Sequence, residues 1–299
     1  MKLFPSKFFV TFLRPLFVVF ASSRGSTISV LVIAQYLSAR YILAPERSWM
    51  DHLNDYRLFL LVLTSSFSIA GGYLINNFYD VEKDRINRPH RALIFQIIPP
   101  KNQLRFYFGF NLIALVMAGL VSTKVFLFFL AYIVGIWLYS HGLKKIFWAS
   151  NFFAALLAIT PFFVMGLYFK NLSQWVMYHA FFLFLIILIR DLVKDLYNFK
   201  GDWVHKYNTL AVHFGIPTTK KIITGCIVIS LFPVGLLLRE KTQLGAMYYY
   251  FLFSIPYLIG IMGFVWKATD QKTYLWVQNL LKLLILTGVG SILLVRYTL

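Results

Sequence analysis

The sequence predicts an all-α polytopic membrane protein that forms one domain over residues 1–299. Hydrophobic residues make up 59% of the chain and charged residues only 13%, whereas a soluble globular domain has about 25% charged residues. The apolar residues fall into runs of about the 20 residues that a helix needs to cross a membrane. The net charge of +18 is typical of basic loops lying against anionic lipid, and we predict no nucleic-acid partner from it.

Nine apolar runs are the candidate transmembrane helices. The first contains Arg24 and Gly25 among serines, so a bend or a water-lined stretch is expected there, and the fourth run is short. The basic residues Lys2, Lys7 and Arg14 before the first run indicate a cytoplasmic lead-in rather than a cleaved signal peptide. The runs cover approximately residues 16–39, 57–78, 104–122, 125–140, 147–168, 174–190, 222–238, 246–266 and 276–296.

The distribution of Lys and Arg predicts the orientation in the membrane. Most of these residues lie in the N-terminal segment and in every second connection after it, such as Lys83 and Arg85 after the second run and Lys220 and Lys221 after the sixth. Because cytoplasmic loops carry an excess of Lys and Arg, we expect an odd number of spans and a cytoplasmic N-terminus. The chain is then a multi-pass protein of the cytoplasmic or inner membrane, in contact with membrane lipids.

The acidic residues are few and unevenly placed. The chain has only 11 Asp and Glu, and more than half of them lie in two short windows at the ends of the second and sixth runs. Both windows fall on the predicted cytoplasmic side. Ionisable groups at the ends of spans in so acid-poor a chain are candidates for function. The six residues are Asp80, Glu82, Asp84, Asp191, Asp195 and Asp202.

The spacing within each window predicts a stripe of polar side chains along one helix face. In the first window, Asn76, Asp80 and Asp84 are spaced four residues apart. Like charges so close together repel, and Mg²⁺ shared with substrate phosphates is the cation that such oxygen ligands suit. Two stripes facing each other would hold a diphosphate through bridging Mg²⁺ ions. The second stripe, with spacings of four, three and four, consists of Asp191, Asp195, Asn198 and Asp202.

Basic and aromatic residues near the windows are further candidates for the site. Arg88 and Arg91 follow the first stripe and would give bidentate contacts to phosphate oxygens. After the fourth run, Lys144 would meet the diphosphate and Tyr139 would face its reacting carbon. The alternative is that the acids are solvated loop charges paired with nearby Lys and Arg. The arginines would then be membrane anchors, and the lysine would snorkel to the interface.

These motifs resemble those of the UbiA superfamily of intramembrane prenyltransferases. Residues 76–84 resemble the family motif N-D-x-x-D-x-x-x-D except at Asn77, and residues 190–202 resemble its second motif, with Asn198 where Asp is common. Arg14 and Pro15 resemble the entry to the family's first helix, although Phe17 stands where Asn is usual. Elements that resemble D-x-I-N-R-P-x-R, Y-S-x-x-L-K and T-L-A-V-x-x-G lie at residues 84–91, 139–144 and 209–215.

The resemblance implies nine transmembrane helices around a central cavity with a cytoplasmic cap. It also implies Mg²⁺-dependent transfer of a prenyl group from an isoprenoid diphosphate donor to a lipophilic acceptor. The predicted metal ligands are Asp80, Asp84, Asp191, Asp195 and Asp202. The predicted catalytic residues are Asp80, Asp84, Asp191, Asp195, Tyr139 and Lys144. The predicted substrate-binding residues are Asn76, Asn77, Arg88, Arg91, Asn198 and Lys194.

Several acceptors and activities fit the sequence. The close N-R-P-x-R spacing resembles the lipid-ether and chlorophyll-type branches, and we favour a branch similar to digeranylgeranylglyceryl-phosphate synthase, with a prenylglyceryl phosphate acceptor. An aromatic acceptor, such as hydroxybenzoate or a quinone precursor, is the alternative within the family. Outside it, an ion-coupled transporter would also place acids in a membrane, but acids at helix ends argue against a transport path. A lipid-binding scaffold would bind the donor without turnover.

Overall fold

The structure, a computed structural model, describes residues 25–87, 93, 97–147, 149–204 and 207–297, without the side chains of 83, 86 and 87. These residues form helices and no strand, which confirms the all-α class. Nine spans in the described part are long and apolar enough to cross a membrane, which confirms a multi-pass membrane protein. The helices are α1 (Gly25–Ser38), α2 (Trp49–Asn54), α3 (Tyr56–Tyr79), α4 (Val81–Asn87), α5 (Pro100–Val121), α6 (Thr123–His141), α7 (Ala149–Phe169), α8 (Gln174–Val204), α9 (Leu210–Arg239), α10 (Lys241–Leu244), α11 (Tyr248–Lys267) and α12 (Gln271–Ser291).

The described residues fall into two compact units. The first contains residues 25–32 and Arg57–His141, and therefore nearly all of α3 together with α4 to α6. The second contains Ile33–Tyr56 and residues 142–297, and therefore α2 and α7 to α12. The single membrane domain expected from the sequence stays a prediction.

In the first unit, two adjacent glycines let the helices approach closely. A Cβ added to Gly71 would lie 3.0 Å from Oδ1 of Asn111 on α5, and one added to Gly72 would lie 3.1 Å from Cγ2 of Ile136 on α6. Both distances are shorter than ordinary van der Waals contact. Because the two glycines have no side chains, α5 and α6 can pack closely against α3 at this point. The contact lies about two helical turns before the first acidic window.

In the second unit, α8 is a continuous helix of 31 residues that packs against α7, α9 and α12. The apolar run expected at 174–190 covers only the first part of this helix, and the helical spacing predicted for the second acidic window continues it. The helix continues to Val204, and its polar residues Asp195, Asn198 and Asp202 are buried within the protein. A search for apolar runs does not detect this part of the helix, because these residues are polar. The whole second acidic window is therefore held on one regular helix.

The helix α9 begins well before the span expected at 222–238. Its first residue, Leu210, follows an N-cap at Thr209, whose Oγ1 accepts a hydrogen bond from the N–H of Val212 at 3.4 Å. Gly215 then interrupts the helix with φ of 81°, a conformation that glycine adopts without steric cost. A short helical segment therefore precedes the kink, and the apolar part of α9 follows it.

The connection between the first two spans is ordered by polar side chains. Ser48 and Asp51 form a capping box at the start of α2, in which each side chain accepts a hydrogen bond from the other residue's backbone N–H. The hydrogen bond from the Ser48 backbone holds the pKa of Asp51 below its usual value. Further along, Tyr168 Oη lies 2.9 and 2.8 Å from the two carboxylate oxygens of Asp55 and donates to this carboxylate.

Lys220 was expected to be a loop charge, but it lies on α9 and is buried. Its Nζ donates to the backbone carbonyls of Trp266 at 3.2 Å and Ala268 at 2.7 Å, which end α11. It also lies 5.8 Å from the ring centroid of Tyr274. Lys220 therefore supplies donors to carbonyls that have no partner within the helix.

Replacing Lys220 with methionine is expected to destabilise the second unit by about 1.5–3 kcal/mol, the usual contribution of a hydrogen bond to a charged group. The apolar stem is retained, so the loss reports the two carbonyl contacts together with the contact to the Tyr274 ring. Thermal unfolding of the purified protein in detergent measures the effect. Lys221→Met, at an exposed neighbouring position, is the matched control. Equal melting temperatures for the two variants would show that Lys220 does not stabilise the end of α11.

Candidate active site

Asn76, Asn77, Asp80 and Asp84, here called the first acidic cluster, lie where α3 meets α4. The backbone N–H of Asp80 donates to Asn76 O at 3.0 Å, and that of Asp84 donates to Asp80 O at 2.8 Å. The helical spacing predicted from the sequence is therefore confirmed, although α3 itself ends at Tyr79. Asn77 is buried, and the other three side chains are half-buried. The cluster thus presents its carboxylates at a partly accessible helix end.

A contact that the sequence did not predict joins the ends of α3 and α6. Tyr79 Oη lies 3.1 Å from His141 Nδ1, and the ring of Trp137 stacks on His141 at 5.2 Å between centroids. Tyr79 directly precedes Asp80, and Tyr139 lies half-buried in the same last turn of α6. This polar contact therefore brings together the helix ends that carry the predicted catalytic tyrosine and the first acidic cluster.

The basic residues predicted to contact the diphosphate differ in where the structure places them. Arg88 and Arg91 lie outside the described residues. Lys144 is buried in a short turn of 3₁₀ helix, whereas the next residue, Lys145, is exposed. Burial of Lys144 does not fit the alternative of a lysine that snorkels to water. Lys194 on α8 forms an ion pair with Asp191, with Nζ 3.5 Å from Oδ1.

Asp191, Asp195, Asn198 and Asp202, here called the second acidic cluster, lie along one face of α8. Asp202 is fully buried, and Asp195 and Asn198 are only 5% and 4% exposed. Asp191 is half-buried. Burial of carboxylates is costly unless hydrogen bonds or cations compensate for lost water. The alternative of solvated loop charges therefore does not describe Asp195 and Asp202.

Two residues at the start of α7 were missed by sequence reasoning: Asn151 contacts this cluster, and Ser150 contacts Asn151. The Nδ2 of Asn151 donates to Oδ2 of Asp195 at 2.7 Å, and the Oγ of Ser150 donates to Oδ1 of Asn151 at 3.2 Å. Both residues are buried. The only signal in the sequence was a polar pair at the edge of the fifth apolar run.

An apolar cavity of about 130 Å³ lies within the second unit. Its wall includes Phe162 of α7, His179 and Leu183 of α8, and Phe251 of α11. Along α8, His179 lies roughly 18 Å from Asp191, given the rise of 1.5 Å per residue. The cavity therefore offers apolar surface at the opposite end of the helix that carries the second acidic cluster.

The comparison with known families decides the class of this protein. Residues 30–286 match the model of the UbiA prenyltransferase family. The chain belongs to this family. UbiA proteins are prenyltransferases, so the enzyme class predicted from the sequence is confirmed and the transporter alternative is set aside.

Individual UbiA relatives agree with this membership over most of the chain. The chain is 31% identical over 245 residues to the digeranylgeranylglyceryl phosphate synthase of Sulfurisphaera tokodaii, covering 80% of this chain and 78% of the relative. It is 32% identical over 211 residues to the synthase of the same name from Sulfolobus acidocaldarius, covering 69% and 70% of the two chains. The resemblance that the motifs indicated is confirmed.

Solved UbiA structures share the fold. A structure concerning digeranylgeranylglyceryl phosphate synthase in membranes has a TM-score of 0.73 at 20% identity, covering 94% of this chain and 98% of that one. A UbiA homologue from Archaeoglobus fulgidus bound to GPP and Mg²⁺ has a TM-score of 0.67 at 15% identity, covering 92% and 99%. The roles of individual residues in this UbiA protein stay predictions.

Proposed function

We propose that this protein transfers a prenyl group from an isoprenoid diphosphate to a prenylglyceryl phosphate in a Mg²⁺-dependent reaction. The observation that carries the proposal is the second acidic cluster, which places the buried carboxylates of Asp195 and Asp202 on one helix. The relatives named digeranylgeranylglyceryl phosphate synthase support the choice of acceptor. The homologue bound to GPP and Mg²⁺ supports the choice of donor and metal.

The two acidic clusters fit Mg²⁺. This ion takes oxygen ligands and is usually bound by one or two carboxylates together with water and substrate phosphates. Among the described residues, no three His, Cys, Asp or Glu side chains form a metal site by themselves. Oδ1 of Asn198 is buried and accepts no hydrogen bond from the described residues, so it is a further oxygen for an ion or its water. The residues that would hold the ions are Asp80, Asp84, Asp191, Asp195 and Asp202.

The reaction breaks the bond between C1 of the prenyl chain and the diphosphate oxygen, which leaves with the bonding electrons. Bound Mg²⁺ supplies positive charge that stabilises this leaving group. Lys144 and Lys194, together with Arg88 and Arg91, donate hydrogen bonds to the diphosphate oxygens. The ring of Tyr139 presents its negative face to the carbon on which positive charge develops.

The acceptor completes the reaction through its hydroxyl oxygen. This oxygen forms the new bond to C1 and releases its proton, so the products are an ether lipid, diphosphate and a proton. Asn76 and Asn77 have neutral amide groups that can orient the substrates without adding charge. The apolar cavity near His179, of about 130 Å³, has room for the end of a hydrocarbon chain and would exclude water from it.

The test is product analysis with purified protein, Mg²⁺, geranylgeranyl diphosphate and a panel of acceptors. We expect mass spectrometry to detect the prenylated glyceryl phosphate, with an equal amount of diphosphate, and to detect neither product after EDTA treatment. A product formed from hydroxybenzoate but not from prenylglyceryl phosphate would assign the aromatic acceptor instead. If no acceptor supported release of diphosphate, the proposed function would be wrong.

The same assay in membrane vesicles tests the sidedness of the site. The distribution of Lys and Arg supports a cytoplasmic location for the N-terminus and for the ends of the second and sixth spans, which carry the acidic clusters. Prenyl transfer is therefore expected when donor is added outside inverted vesicles. Transfer only with right-side-out vesicles would reverse the orientation.

A further inference from the structure

We infer that Ser150 and Asn151 are positioning residues that orient Asp195 toward the Mg²⁺–diphosphate group. The inference rests on the proposed function, because it assumes that Asp195 is a metal ligand. It concerns two residues at the start of α7 that lie outside both acidic clusters. Neither residue needs to touch the substrate to act.

The contacts form a short chain that ends at the carboxylate. The Oγ of Ser150 lies 3.2 Å from Oδ1 of Asn151, and Nδ2 of Asn151 lies 2.7 Å from Oδ2 of Asp195. The three residues are each only 5–6% exposed. Hydrogen bonds between buried polar groups resist replacement by water, so the chain fixes the carboxylate more firmly than the same contacts would at the surface.

The Asp195 carboxylate determines which end of the Asn151 amide faces it, and Ser150 satisfies the other end. An amide carbonyl turned toward Asp195 would place two acceptors against each other, because an ionised carboxylate cannot donate. With the amide N–H₂ facing Asp195, the Ser150 hydroxyl donates to the buried carbonyl oxygen of Asn151 and so holds the asparagine side chain in place. The serine therefore acts on Asp195 only through the asparagine.

The hydrogen-bond donor to Asp195 is the uncharged amide of Asn151, which suits a carboxylate that is to bind a metal ion. An amide N–H orients a carboxylate without supplying the positive charge that would compete with Mg²⁺. The neighbouring Asp191 differs, since the ammonium group of Lys194 lies 3.5 Å from its carboxylate. Removing a side chain that hydrogen-bonds to a metal ligand usually lowers metal affinity or activity by about 10–100-fold.

The packing of α7 against α8 makes Asn151 a rigid donor. Ala155, one turn after it on α7, is fully buried, as are Leu192 and Val193 beside Asp195 on α8. Close-packed side chains leave little room for a helix to shift. The distance between Asn151 and Asp195 is therefore set by the core of the second unit and not by a flexible loop.

The test compares Asn151→Ala with the unaltered protein by a binding measurement that does not require turnover. The melting temperature of the purified protein is followed as Mg²⁺ is added with geranyl diphosphate and without acceptor. The Mg²⁺ concentration at the midpoint of the stabilisation is expected to rise by about 10–100-fold in Asn151→Ala. The Mg²⁺ dependence of prenyl transfer is expected to shift in the same direction.

The serine gives a second, independent test. Ser150→Ala should raise the Mg²⁺ midpoint by less than Asn151→Ala, and Ser150→Thr, which retains the hydroxyl, should restore it. The double variant should behave like Asn151→Ala alone, because Ser150 acts only through Asn151. If Asn151→Ala does not fold, the difference in Mg²⁺ midpoint between Ser150→Ala and Ser150→Thr tests the positioning role instead.

The matched control is Asn171→Ala, just beyond the other end of α7, where Nδ2 of Asn171 donates to Leu43 O at 2.9 Å. Its Mg²⁺ midpoint should not change even if its melting temperature falls. Unaltered Mg²⁺ midpoints in both Asn151→Ala and Ser150→Ala would overturn the positioning role. A parent protein that neither responds to Mg²⁺ nor releases diphosphate would instead reject the proposed function itself.

Discussion

Replacing Asp195 with asparagine is expected to lower prenyl transfer by roughly 10²–10³-fold, the range seen when one preorganised electrostatic group is removed from an active site. The substitution is close to isosteric, and the new side chain can accept the hydrogen bond from Asn151 through its amide oxygen. The buried hydrogen-bond chain is therefore retained, while the negative charge that attracts Mg²⁺ is lost.

The measurement is the rate of diphosphate release at saturating donor and at several Mg²⁺ concentrations. Glu46→Gln removes a carboxylate from an exposed loop and should leave the rate unchanged, which controls for the change in net charge. Excess Mg²⁺ should restore the rate of diphosphate release in Asn151→Ala but not in Asp195→Asn. Full activity in Asp195→Asn would remove this residue from the proposed metal site.

Replacing Gly245 with alanine is expected to destabilise the second unit by about 2–4 kcal/mol. Gly245 has φ of 51°, and a Cβ there would lie 2.5 Å from the carbonyl oxygens of both Val295 and Tyr297. These are backbone atoms, which cannot turn aside as a flexible side chain can. The adjacent N–H of Ala246 donates to Tyr297 O at 2.8 Å, and this contact would also be strained.

Thermal unfolding in detergent measures the effect of Gly245→Ala, and a decrease of about 5–15 °C is expected for a unit of this size. Gly260→Ala on α11 is the control, since a Cβ at Gly260 meets nothing within 4 Å. That variant should keep or slightly raise the melting temperature, because alanine favours helix. Equal stability of the two alanine variants would show that the segment around Val295 moves away from Gly245 at little cost.

Sequence patterns predicted the elements that depend on local periodicity. The spacing of Asn76, Asp80 and Asp84 predicted a helical stripe, and the backbone hydrogen bonds follow it. Apolar runs predicted the nine spans, but not where α8 ends, because its last turns are polar on a face that the protein itself buries. Hydropathy reports the average character of a segment and does not report which face meets water.

Contacts between distant parts of the chain could not be predicted in this way. Asn151 and Asp195 are 44 residues apart, and only the packing of α7 on α8 brings their side chains together. The burial of Lys220 and its contacts with the end of α11 have the same origin. A single sequence gives the identity of such polar residues but not their partners, because many arrangements of helices would satisfy the same apolar pattern.

The length of α8 bears on how the two products of the proposed reaction separate. A helix of 31 residues is about 46 Å long, whereas the hydrocarbon core of a bilayer is about 30 Å thick. The apolar first part of α8 fills most of that thickness, so the turns that carry Asp195 and Asp202 extend into the headgroup region. In the proposed reaction, a diphosphate released at this level would reach water without crossing the hydrocarbon core, while the ether lipid would diffuse away within the bilayer. Separate exits would make product release fast and the recombination of products rare.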